Sequence, residues 1–112
     1  DARELEEYTV SHIPKAQHIG YKKFDISWVN KNISKKNKII VYCSVGYRSG
    51  EIAERLKKNG FNAYNLKGGI FKWVNESNQV VDSQGKVTAN IHGYDSSWSK
   101  WLKKGNIKFT EL

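Results

Sequence analysis

The chain has 112 residues, with 19 Lys and Arg against 11 Asp and Glu for a net charge of +8, a length that supports one hydrophobic core and excludes two. A single cysteine excludes any intramolecular disulfide, and His12, His18 and His92 share no zinc-binding spacing with it, so no metal or cofactor is expected. The longest apolar run, Ile39 to Cys43, has five residues against the roughly 20 that cross a bilayer, so no membrane span is expected.

From the N-terminus, residues 4–8 (ELEEY) read as a short helix, His12-Ile13-Pro14 as a turn, and Ala16 to Tyr21 as a short strand. Ile26, Val29 and Ile33 recur at helical spacing, which predicts a helix from Ile26 to Ile33, followed by a polar loop from Ser34 to Asn37. Between Lys15 and Lys38 stand seven lysines and one acid, Asp25. Specific nucleic-acid binders join such charge to a reading module or a groove-docking helix. Neither pattern occurs here, so this stretch reads as a solvated basic surface that also draws in small anions, and no nucleic-acid partner is expected.

Lys38 to Cys43 predicts a buried strand. A helix follows, capped at Ser49, with Ile52, Ala53 and Leu56 on one stripe and a stop at Asn59-Gly60. Glu51 with Arg55 and Glu54 with Lys58 form i,i+4 pairs on its solvent side. Asn62 to Leu66 predicts another strand, and Gly68-Gly69 turns the chain into a helix from Ile70 to Glu76. This alternation predicts an α/β fold of three layers, a central mostly parallel sheet flanked by helices. Residues 77–112 differ in character. Val80 to Thr88, with its turn at Ser83-Gln84-Gly85, predicts a small hairpin. Asp95 to Gly105 predicts a capped helix whose Trp98, Trp101 and Leu102 pack against the domain. His92 reads as an exposed loop residue.

Chemistry concentrates at Cys43, which stands at the C-terminal tip of the expected strand and opens the heptapeptide CSVGYRS. In parallel α/β sheets ligands bind outside the carboxyl ends of the strands. A loop entering a helix N-terminus offers unpaired N–H groups and the positive end of the helix dipole, and so holds an anion. That field, with Arg48 alongside, favours the thiolate, which is the nucleophilic form. On these residues alone two readings stay open, a reaction centre or a buried structural cysteine.

Three ordered stretches carry a family resemblance. DARELEEYTVSHIPKAQHI sets Asp1, Arg3, Glu7, Tyr8, His12, Ile13, Pro14 and Ala16 as in an Asp-x-Arg, Glu-Tyr, Gly-His-Ile-Pro-Gly-Ala signature, with Ser11 and Lys15 in place of its glycines. CSVGYRS has cysteine first, glycine fourth and arginine sixth, and LKGGIFKW, Leu66 to Trp73, is similar to a closing Leu-x-Gly-Gly-Ile-x-x-Trp. With these the chain resembles the rhodanese-like sulfurtransferases.

The resemblance implies a rhodanese-like domain over residues 1–76, with 77–112 as a C-terminal extension packed on it. The family has a strand just before the position of Asp1, so the first strand is expected to be missing from this chain. The chain opens on Asp1 rather than Met, so a leader upstream would be out of view and the compartment stays open, with the cytoplasm slightly favoured. The implied activity moves a sulfane sulfur from thiosulfate or a similar anionic donor, through a persulfide on Cys43, to cyanide or a thiol, an acceptor protein among them. Ser44, Val45, Gly46, Tyr47, Arg48 and Ser49 would form the substrate-binding loop, with Gly46 allowing its turn and Tyr47 at its entrance. Arg48 stays open between touching substrate and bracing the loop through a carboxylate. Asp1 and Arg3 are implied as supporting residues at the sheet end, and His12 as structural.

Two other functions compete. A phosphatase or arsenate reductase also sets Cys and Arg around an anion cradle, but with a longer loop than the four residues between Cys43 and Arg48. A non-catalytic rhodanese-homology module usually lacks the cysteine, which this chain keeps.

Overall fold

Successive side chains of a strand point to opposite faces, and here Val41 and Tyr42 enter two different hydrophobic cores. In a computed structural model that describes residues 1–112, the chain runs α1 (Leu5–Val10), α2 (Ile26–Asn32), β1 (Lys38–Val41), α3 (Tyr47–Lys58), β2 (Asn62–Asn65) and α4 (Gly69–Asn75). It continues through β3 (Val80–Val81), β4 (Val87–Thr88), β5 (Asn90–His92), a 3₁₀ turn (Ser99–Trp101) and β6 (Asn106–Lys108). β1 and β2 pair in parallel, Lys38 opposite Asn62 and Val41 opposite Asn65, and α3 is the crossover that parallel neighbours require.

One face of this pair is covered by α2 and α3, through Val29, Ile52, Ala53 and Leu56 against Val41 and Ala63. The other face leaves Ile40 and Tyr64 half exposed; just past β1, Tyr42 joins a second core with Ile70, Phe71 and Val74 of α4 and with Val80, Ile91 and Leu102. Each buried Val, Leu, Ile or Phe side chain among these contributes about 1.5–3 kcal/mol over the same side chain in water. The fold is α/β. No helix is long and apolar enough to cross a membrane.

Several elements differ from the sequence expectation. Ala16 to Tyr21 is not a strand: the amides of Ile19 and Gly20 both donate to Asp1 O, and a left-handed Gly20 curls the chain. β1 is only partly buried, with Ile40 half exposed. The cap of α3 is Gly46, not Ser49, because the left-handed turn at Gly46 (φ 118°) starts the helix at Tyr47. The i,i+4 pairs of α3 do not form. Glu51 accepts from Tyr21 Oη at 2.7 Å, Arg55 lies over the Phe24 ring, and Glu54 pairs with Lys57 at 3.3 Å.

In the C-terminal segment β3 and β4 pair antiparallel, and Val81 also bridges to His12. The expected helix from Asp95 is a single 3₁₀ turn. Asp95 Oδ1 accepts from the Trp98 amide at 2.9 Å in the turn that precedes it, while Trp98 itself holds the N-cap position; Leu102 then turns extended to enter the core and Asn75 Oδ1 accepts the Lys103 amide at 2.6 Å. Trp98 and Trp101 are accordingly 40% and 53% exposed rather than packed away. His92, expected in an exposed loop, is wholly buried, because β5 and β6 form a parallel pair that the sequence pattern does not announce.

Candidate functional site

The site begins where β1 stops. Cys43 follows the strand by two residues and is 1% exposed, and the chain from Ser44 to Gly46 curves above it into α3. Gly46 N donates to Cys43 Sγ at 3.1 Å, and Ser49 Oγ, one turn into α3, lies 3.3 Å from the same sulfur. The amides of Ser44, Val45, Tyr47, Arg48 and Ser49 donate to no other protein atom, so the loop and the first turn of α3 present a run of free N–H groups.

Three carbonyls of the same loop are engaged. Ile70 N donates to Cys43 O at 2.9 Å and Phe71 N to Ser44 O at 3.1 Å, while Gly46 O accepts from Gly50 N at 3.1 Å and from Asn65 Nδ2 at 2.9 Å. α4 thus fixes the loop from below. This contact explains the closing glycines: a Cβ on Gly69 would lie 2.5 Å from both Cys43 O and Ser44 O, and its φ is 59°.

Arg48 was open between two roles, and its partner is Glu7. Arg48 Nη1 donates to Glu7 Oε2 at 2.7 Å and Nη2 to Glu7 Oε1 at 2.9 Å, a two-pronged geometry suited to guanidinium and carboxylate. Nη2 also reaches Ser44 Oγ at 3.0 Å, and Ser44 Oγ donates to Glu7 Oε1 at 3.2 Å. Burial pushes the Glu7 carboxyl up, but the Arg48 bonds and charge outweigh it and hold Glu7 below the usual carboxylate range. Burial likewise works to lower Arg48, and Glu7 overcomes it and raises it.

A second buried cluster sits at the N-terminal side. Arg3 is fully buried and donates through Nε and Nη2 to the Asp1 carboxylate and through Nη2 to Ser11 O at 2.6 Å. Tyr42 Oη donates to Asp1 Oδ2 at 2.8 Å and accepts from Ile13 N at 3.1 Å. Asp1 and Arg3 therefore tie the opening segment to Tyr42, the neighbour of Cys43. His12 stacks on Tyr8 with centroids 3.9 Å apart, and its Nδ1 lies 3.1 Å from Tyr8 O.

Cys43, Ser44, Val45, Tyr47 and Arg48 line a pocket of about 70 Å³ whose remaining walls are Tyr94 and Trp98. At roughly 10–15 Å³ for each water-sized group, this volume holds a compact anion and little more. Tyr47 is 72% exposed at the rim. No group of three or more His, Cys, Asp or Glu is placed to share a metal ion.

Sequence reasoning missed three participants. Glu7 stands in the opening motif with no role assigned to it, although an arginine that braces a loop through a carboxylate calls for such a partner. Asn65 accepts from Ser49 Oγ at 2.6 Å and donates to Gly46 O. A polar residue at the carboxyl end of the neighbouring parallel strand was its available signal. Tyr94 lies far along the chain, and no spacing points to it.

Comparison with known proteins covers much of this region. Residues 1–76 match the family described as the rhodanese-like domain. YtwF of Bacillus subtilis (strain 168), assigned by name to the sulfurtransferases, is 32% identical over 77 residues, which are 69% of this chain and 73% of YtwF. The thiosulfate sulfurtransferase GlpE of Coxiella burnetii (strain RSA 331 / Henzerling II) is 31% identical over 74 residues, 65% of this chain and 67% of GlpE. Some relatives are far longer: a tRNA sulfurtransferase of Desulfurococcus amylolyticus is 32% identical over 73 residues, 65% of this chain, and the chain spans 14% of its length. Among solved structures, the BH2092 protein of Bacillus halodurans is similar with a TM-score of 0.68 and 31% identity, over 75% of this chain and 62% of that one.

Proposed function

The chain belongs to the rhodanese-like domain family, and from that premise we propose that it is a sulfurtransferase in which Cys43 carries the sulfur. The Cys43 thiolate attacks the outer sulfur of thiosulfate or a similar donor. A new S–S bond forms to Cys43, the bond to the sulfonate sulfur breaks, and its electron pair leaves with sulfite. The persulfide then gives its outer sulfur to cyanide, releasing thiocyanate, or to a thiolate, releasing a new persulfide, and the Cys43 thiolate is restored. Donor and leaving group are both anions, so fixed N–H groups stabilise the charge before and after the bond breaks.

The observation that carries this reading is the Cys43 sulfur accepting from Gly46 N at 3.1 Å within a loop whose other amides are free of protein partners. Ser44, Val45, Gly46, Tyr47 and Ser49 would bind the donor chiefly through backbone. Arg48 would brace the loop, because its Nη1 and Nη2 are occupied by Glu7 and Ser44, while its charge still favours anions nearby. Asp1 and Arg3 would support the sheet end. The name and length of GlpE support thiosulfate as donor.

Mass spectrometry after incubation with thiosulfate tests the proposal, with Cys43→Ser as the control. The expected result is one added sulfur on Cys43 that cyanide removes. A folded protein that takes up no sulfur from thiosulfate would refute this donor, and one that takes up none from any sulfane donor would refute the chemistry.

A further inference from the structure

The family match ends at residue 76, yet two walls of the Cys43 pocket, Tyr94 and Trp98, come from the segment beyond it. Tyr94 is gripped from both sides. Its N–H donates to Nδ1 of the buried His92 at 2.9 Å, and its ring lies 4.7 Å from Cζ of Arg48. It holds a left-handed φ of 67°, a conformation that costs a side chain of this size about 1–3 kcal/mol and persists where surrounding packing enforces it. Just before it, a Cβ on Gly93 would lie 2.7 Å from Ile107 Cγ2 and 2.9 Å from Ser99 Cβ, so β6 and the 3₁₀ turn close on the backbone there.

Trp98 is set with equal care. Asp95 Oδ1 accepts its amide, buried Leu102 anchors the turn in the core, and Asn75 holds Trp101 O and Lys103 N at 2.9 and 2.6 Å. These restraints keep two aromatic rings at the walls of a pocket of about 70 Å³. A compact anion fits that space. An aryl group is larger than that space.

Resting on the sulfurtransferase reading above, we propose that Tyr94 and Trp98 are specificity-determining residues, a size filter that admits compact sulfane donors such as thiosulfate and turns away bulky aryl ones. The step is the same for both donors: the thiolate bonds the terminal sulfur, and the electron pair leaves with sulfite from thiosulfate or with benzenesulfinate from benzenethiosulfonate.

The test compares sulfur loading of Cys43 by thiosulfate and by benzenethiosulfonate, and alkylation of Cys43 by iodoacetamide and by N-benzylmaleimide, in the full chain. Trp98→Ala is expected to raise the bulky-to-compact rate ratio by roughly tenfold or more in both pairs. Trp101→Ala, exposed on the same turn and outside the pocket, is expected to leave both ratios unchanged. A bulky-reagent rate that does not rise in Trp98→Ala overturns the filter. A raised alkylation ratio without a sulfur adduct from either donor would uphold the filter and remove the sulfur-transfer reading beneath it.

Discussion

Removing the Glu7 carboxylate is the sharpest perturbation this structure allows. Glu7→Ala deletes the acceptor of two charge-assisted bonds from Arg48, at 2.7 and 2.9 Å, together with bonds from Ser44 Oγ at 3.2 Å and from Glu4 N at 2.9 Å. Charge-assisted bonds contribute about 1.5–3 kcal/mol each, but the larger effect is the guanidinium left behind. The Arg48 side chain is 11% exposed, and stripping one partner from a buried pair costs about 3–5 kcal/mol because the survivor stays desolvated. Against a total stability of about 5–15 kcal/mol for a domain, Glu7→Ala is expected to lose about 3–5 kcal/mol and to approach the limit of folding. Urea unfolding followed by tryptophan fluorescence measures the loss. The double variant Glu7→Ala/Arg48→Met is expected to lose less than the sum of its singles, by about 1–3 kcal/mol, since no buried charge remains unpaired. A single-variant loss below about 1 kcal/mol, the range of exposed pairs, or strict additivity in the double variant would refute the reasoning.

The same carboxylate sets an acid limb. Burial works to raise Glu7, the Arg48 bonds and charge lower it further, and the net is a folded value below its ordinary 4.5. The native state therefore binds fewer protons than the unfolded chain, so the stabilisation is complete above about pH 4.5 and is lost as pH falls toward the lowered folded value. Stability of the wild type is expected to fall more steeply below that pH than stability of Glu7→Gln, and parallel pH profiles would contradict this. At Gly69, an alanine Cβ would meet Cys43 O and Ser44 O at 2.5 Å in a left-handed backbone. Gly69→Ala is therefore expected to cost about 2 kcal/mol or more and to slow sulfur loading even where folding survives. Gly85→Ala, with φ 79° and nothing within 4 Å, isolates the backbone cost in unfolding measurements. Equal effects at the two glycines, with loading unchanged in Gly69→Ala, would show that α4 does not shape the loop.

Much of the fold was legible because it rests on local periodicity. Ile52, Ala53 and Leu56 on one stripe, the Lys38 to Cys43 run and the glycine pair before Ile70 each fix an element within a dozen residues, and their alternation implies the layers. Long-range pairing was not legible in the same way. Arg48 and Glu7 are 41 residues apart, and a charge pattern says that a partner is needed without saying which. Local chemistry also misled where tertiary contacts outbid it. Glu51 and Arg55 sit at a good helical spacing, yet Tyr21 and Phe24 take them. The capped turn at Asp95 promised a helix, but burying Leu102 ends it after one turn. Tyr94 and Trp98 reach the pocket only because β5 and β6 pair in parallel across the tail, a register that short segments of three residues do not announce.

Hydrogen bonding around Cys43 has a directional bias with its own consequence. The carbonyls of Cys43, Ser44 and Gly46 are each taken by amides of α4, α3 or Asn65, whereas the neighbouring N–H groups are not. A loop so arranged donates more than it accepts, Val45 O being its one carbonyl left without a protein partner. It discriminates by what a visitor brings: an ammonium arriving above the sulfur finds few oxygens to receive its protons, while a small anion finds donors already aligned.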